Sequence, residues 1–98
     1  MASGAPEQTV ELVCIDPERG VWRYYVLSLE LDLFAPVRLC RRWGRLGSRG
    51  TGQSRVEVFA DRASAERRLA AYYRTRLRRG YTERAVDPRL RAVLKGNR

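Results

Sequence analysis

The clearest signal in the chain is an alternation of apolar and polar residues from Tyr24 to Leu33. Tyr25, Leu27, Leu29, Leu31 and Leu33 fall on one side, and Tyr24, Val26, Ser28, Glu30 and Asp32 on the other. A period of two held over this length predicts a strand of an antiparallel sheet with one face buried. Val10–Ile15, Val37–Trp43 and Gln53–Phe59 read as three further strands. In Val37–Trp43 one face carries Val37, Leu39, Arg41 and Trp43, and the other Arg38, Cys40 and Arg42. Asp16-Pro17-Glu18-Arg19-Gly20 and Ala35-Pro36 mark turns. Between Trp43 and Gln53 lie Gly44, Gly47, Gly50 and Gly52, a loop whose glycines permit close backbone approach.

The period changes after Phe59. Asp61 is placed to cap a helix over residues 62–79, where Ala65, Leu69, Tyr72, Tyr73 and Leu77 form one apolar stripe. Gly80 ends it, and a second, short helix is expected from Pro88 to Lys95. The expected fold is α+β: a small antiparallel β-sheet of about four strands with one long amphipathic helix packed across it. Residues 1–8 are expected to be a disordered tail, 9–81 the folded domain, and 82–98 a C-terminal extension carrying the short helix.

Ninety-eight residues suffice for a single core. The formal net charge of +9 points towards a polyanionic partner, although solubility alone also uses charge. Nineteen of the twenty basic residues are Arg, whose planar fork grips phosphate oxygens bidentately. GC-rich codon usage explains that bias equally well. The distribution says more than the total. Residues 1–35 carry two arginines against six carboxylates, net −4, whereas 36–56 carry six arginines and no carboxylate, net +6. The helix segment 62–79 has seven arginines against Glu66, again net +6. Charge on the helix serves equally well as a solvated face; in the strand–loop segment, six uncompensated arginines favour an anionic ligand.

Several chemistries find no residues here. The chain has no His, which removes the commonest general base and metal ligand. Cys14 and Cys40 sit in apolar strands and read as buried free thiols, with a disulfide as the other reading. No phosphate-cradling Gly-x-x-x-x-Gly-Lys-Ser/Thr loop occurs. No catalytic residue, metal ligand or cofactor is therefore assigned, and no enzymatic activity is expected. The N-terminus lacks the layout of a signal peptide, and no apolar run reaches a membrane span. A cytoplasmic monomer without a membrane partner is expected.

The stretch Arg42-Trp43-Gly44-Arg45-Leu46-Gly47-Ser48-Arg49-Gly50 resembles the signature of the WGR domain, found in DNA-damage-activated poly(ADP-ribose) polymerases and in many short bacterial proteins. The aromatic pair Tyr24-Tyr25 upstream, Gln53 after the glycine loop, Phe59 before the helix and the amphipathic helix itself extend the likeness over residues 10–81. The resemblance implies a sheet crossed by a helix and binding of DNA at ends or breaks. It implies that Trp43 packs against the sugar of a terminal nucleotide, that Arg45 makes a backbone or interdomain contact, and that Gln53 and the loop glycines lie nearby. Where the polymerases often carry Asn-Lys before the aromatic pair, this chain has Trp22-Arg23. Its helix ending, Arg76 to Tyr81, is similar to that of the short bacterial relatives.

The residues themselves give the same picture. An indole beside a glycine offers its face to a sugar or base, and surrounding arginines add a salt-dependent phosphate term. The expected nucleic-acid contacts are Trp43, Gly44, Arg45, Arg41, Arg42, Arg49, Gln53 and Arg23, with DNA as ligand. RNA shares the physics, and an acidic protein surface is the alternative partner. Trp43 also reads as a core residue of the sheet, since tryptophan is usually largely buried.

Overall fold

The computed structural model describes residues 7–31, 36–47 and 52–95. Arg49, Leu33 and the tail up to residue 6 lie outside the described residues, as do residues 48–51 of the glycine loop. The elements run β1 (Glu7–Asp16), β2 (Val21–Glu30), β3 (Val37–Arg45), β4 (Gln53–Phe59), α1 (Arg62–Arg78), β5 (Thr82–Val86) and α2 (Arg91–Leu94). Short 3-10 turns at Pro17–Arg19 and Pro88–Leu90 precede β2 and α2.

The strands form one antiparallel sheet in the order β4-β3-β2-β1-β5. The α+β fold expected from the pattern is therefore the fold observed, with five strands where about four were expected. The fifth, β5, lies in the segment expected as an extension, and it pairs with β1 at Val10↔Val86 and Leu12↔Glu83. The short helix expected there follows it. β1 also takes in Glu7 and Gln8, and Gln8 is buried.

Cross-strand register decides the buried face. Val10, Leu27 and Arg41 line up across the sheet, as do Leu12, Tyr25 and Trp43, and Leu29 with Leu39. The odd positions of β2 that the alternation assigned to the core, Tyr25, Leu27 and Leu29, are buried there. Helix α1 lies on this face through Ala65, Leu69 and Tyr73, and Leu90 and Leu94 of the C-terminal segment complete the cluster. Asp61 caps the helix as its sequence position suggested, accepting the Ser64 backbone N–H at 2.8 Å. Cys14 shares the helix side with Val10 and Leu12, whereas Cys40 lies opposite Ser28 on the other side, so the sheet separates the two free thiols. Among the described residues no helix is long and apolar enough to cross a membrane.

Candidate functional site

The Trp43-Gly44-Arg45 tripeptide ends β3, and antiparallel pairing sets it against the start of β2. Tyr25 lies across from Trp43, Tyr24 from Gly44 and Arg23 from Arg45. The Leu46 N–H donates to the Trp22 carbonyl at 2.8 Å and extends this pairing past the last strand residue. Trp43 is half-buried. Its ring stacks on Tyr25 at 6.0 Å with an interplanar angle of 22° and packs against the hydrophobic cluster. It also borders an open cleft. Trp43 thus has one side on the core and another on the cleft.

The end of α1 supplies the third wall of that cleft. Gly80, at φ +95°, takes the left-handed conformation that lets the helix stop. Its N–H donates to the Leu77 carbonyl, and the Tyr81 N–H donates to the Arg76 carbonyl, both at 3.0 Å. This paired reversal is the Schellman motif. It turns Tyr81 back under Arg76, whose guanidinium lies 5.6 Å from the Tyr81 ring and 4.7 Å from the Tyr25 ring. A glycine stop at the helix end thereby places one arginine and one tyrosine beside the tripeptide.

The resulting cleft encloses about 290 Å³. Gly20, Trp22 and Arg23 line it from the β2 side, Trp43, Gly44 and Arg45 from β3, and Arg76 and Tyr81 from the helix end. Three arginines from three elements line it, and no carboxylate is among the lining residues. Such a lining favours an anion that also has a flat or apolar part.

The other expected contacts are distributed differently. Arg41 lies on the helix side, with its guanidinium 4.3 Å from the Tyr72 ring and 5.5 Å from Trp43, and it donates to the Tyr25 hydroxyl at 3.4 Å. Burial alone would lower its pKa, but the Tyr25 hydroxyl and nearby Glu57 together leave it raised, so it stays charged. Arg41 joins sheet to helix and is absent from the cleft lining. Arg42 is exposed on the opposite face, and Gln53 is exposed on β4 opposite Trp43. Arg38, counted in sequence among six arginines without a carboxylate, pairs with Glu30 across the ladder at 3.1 Å.

Sequence reasoning thus brings Trp43, Gly44, Arg45 and Arg23 to one place and misses Gly20, Trp22, Arg76 and Tyr81 as their companions. The Gly80 stop was visible in sequence; that it aims Tyr81 into the site follows only from the packing of α1 on β2 and β3.

The WGR domain family model matches residues 8–88. The uncharacterized protein y4dW of Sinorhizobium fredii (strain NBRC 101917 / NGR234) is similar, with 37% identity over 75 residues. The match covers 76% of this chain and 36% of that protein, so the chain spans only about a third of its relative's length. No solved structure matches the chain.

Proposed function

The chain belongs to the WGR domain family, and from that premise we propose that it is a nucleic-acid-binding module that seats a sugar–phosphate unit of DNA in the cleft beside Trp43. One observation carries this reading: Arg23, Arg45 and Arg76 line one cleft together with Trp43 and Tyr81, and no carboxylate is in that lining. Guanidinium forks supply charge-assisted bonds to phosphate oxygens, and the aromatic rings supply a surface for the sugar or base. The cleft lies at the lower end of the size range of small-ligand pockets, roughly 300 Å³, which suits one nucleotide unit better than a continuous duplex. Ends and breaks, where such a unit is accessible, are the targets this favours.

The test is fluorescence anisotropy of a short labelled duplex over a salt series. Each arginine that neutralises a phosphate contributes about 0.9 to the slope of log K against log salt. Arg45→Gln and Arg76→Gln are each expected to weaken binding and lower the slope by about that amount. Arg38→Gln, at the far end of β3 and paired with Glu30, should leave the slope unchanged. If Arg45→Gln and Arg76→Gln variants that fold normally bind as the parent does, the cleft is not the site. If no nucleic acid binds even at low salt, the arginines serve an acidic protein partner instead.

A further inference from the structure

The two edges of the sheet are built differently. β5 is a five-residue strand whose pairing with β1 shifts register between Glu11 and Leu12. A short, irregular edge of this kind discourages further strands. β4 closes the other edge with seven residues, no proline and continuous pairing to β3 from Gln53 to Phe59. Among the described residues nothing pairs with its outer side. Val56 and Val58 on this strand are 56% and 61% exposed. An ordered edge carrying exposed valines is a template for another strand.

The sequence of β4 suits one particular strand, which is itself. We propose that β4 pairs antiparallel with β4 of a second copy, centred on Val56, so that two five-stranded sheets become one. In this register Val56 meets Val56 of the second copy, and Val58 sits diagonal to it on the open face. Arg55 meets Glu57 of the second copy, and Glu57 meets its Arg55, on the face that carries the helices. The two-fold repeats each opposite-charge pair, and such directly opposed pairs stabilise a ladder. Within one chain Arg55 lies opposite Arg41, a like charge, and makes no ion pair among the described residues. Glu57 already accepts from the Tyr72 hydroxyl at 3.0 Å and from Arg68 at 3.3 Å. A carboxylate has about four acceptor sites, so capacity remains for a further guanidinium. The pairing also replaces the monomer expected from sequence. It is independent of the nucleic-acid reading, since it uses neither the cleft nor its residues.

Sedimentation velocity on the full chain, over a micromolar to millimolar series, reads the outcome. The parent is expected to pass from 11.3 kDa to twice that mass as concentration rises. Val56→Lys sets two cations face to face, and Arg55→Glu sets Glu against Glu57 twice. Each should weaken dimerisation roughly tenfold or more with an unchanged far-UV spectrum, because both positions are exposed. Mixing Arg55→Glu with Glu57→Arg protein restores both opposite-charge pairs and should restore association that neither shows alone. A parent that stays at 11.3 kDa throughout overturns the proposal, as does dimerisation of Arg55→Glu and Val56→Lys at parental strength. If the parent binds another protein's strand while remaining monomeric, the edge has a different occupant and the proposal fails.

Discussion

At the scale of single residues, the glycines after Trp43 do a different job from the one their sequence suggests. Beside an indole, Gly44 reads as a residue that uncovers the ring. Strand alternation instead turns Gly44 towards the opposite face, where Tyr24 fills the space. A Cβ at Gly44 would meet the Tyr24 hydroxyl and the Gly52 backbone, each at 3.0 Å. At Gly52 it would overlap that hydroxyl and lie 2.8 Å from the Trp43 carbonyl oxygen. Tyr24 thus reaches over both positions because neither glycine has a side chain. Gly52→Ala is expected to destabilise the fold by about 1–3 kcal/mol, as overpacking does, measured by urea unfolding. Tyr24→Phe removes the nearest atom but not the Trp43 carbonyl, so in the double variant the loss should be relieved only in part. An unchanged urea midpoint in Gly52→Ala would contradict the crowding of Tyr24 against Gly52. The residue-level content of the site was legible where it was contiguous, as in Trp43-Gly44-Arg45. It was not legible where contact depends on register, because no local signal tells Tyr24 that it will cross Gly52.

Elements show where local pattern runs out. The strand around Tyr25 and the helix after Asp61 were plain, because each sets a one-sided apolar period against a buried face. β5 was not. Thr82–Val86 has an exposed surface along most of its length and no apolar alternation, so only its pairing with β1 makes it a strand. Its attachment is nonetheless firm. Glu83 accepts from the Tyr73 hydroxyl of α1 and takes two bonds of 2.9 Å from Arg91. Leu90 is fully buried, and Leu94 nearly so. Truncating a buried leucine to alanine costs about 2–5 kcal/mol, against a total of about 5–15 kcal/mol for a typical domain. A chain ending at Tyr81 loses both leucines and a sheet edge. It is expected to lack a cooperative thermal transition by circular dichroism, and a truncated chain melting at the parental midpoint would show residues 82–95 to be dispensable.

For the whole molecule, charge is arranged rather than merely abundant. The acidic first third and the arginine-rich middle meet across the β2–β3 ladder, where Glu30 bonds both Arg38 and the Cys40 thiol. Burial, reinforced by the Glu30 carboxylate, raises the Cys40 pKa from 9.0 to about 11. Burial and Glu83 raise that of Tyr73 from 10.0 to about 12. Both groups favour folding in their protonated forms, so their contribution is complete below pH 9 and is lost as pH rises towards 11 and 12. Asp61, Glu83 and Asp87 behave oppositely. Hydrogen bonds, from Ser64, from Arg91 and Tyr73, and from Arg89 respectively, lower their pKa values, so their contribution is lost as pH falls below the ordinary 3.8–4.5. Urea midpoints should therefore be flat between pH 4.5 and 9 and decline on both sides. A midpoint that rises between pH 9 and 11 would contradict the alkaline limb.

The cleft joins this charge to aromatic surface with no carboxylate among its lining residues, and the Trp43 ring borders it on the helix side of the sheet. The Trp43 indole N–H signal therefore reports directly on it. In a nitrogen-15 NMR titration with a short 5′-phosphorylated duplex, the Trp43 indole signal should shift and saturate together with the amides of Arg23, Arg45, Arg76 and Tyr81. Signals from Arg38 and β5 should stay in place. A duplex that binds while the Trp43 indole signal remains unmoved, or one that causes no shifts at low salt, would contradict the central claim that this cleft receives nucleic acid.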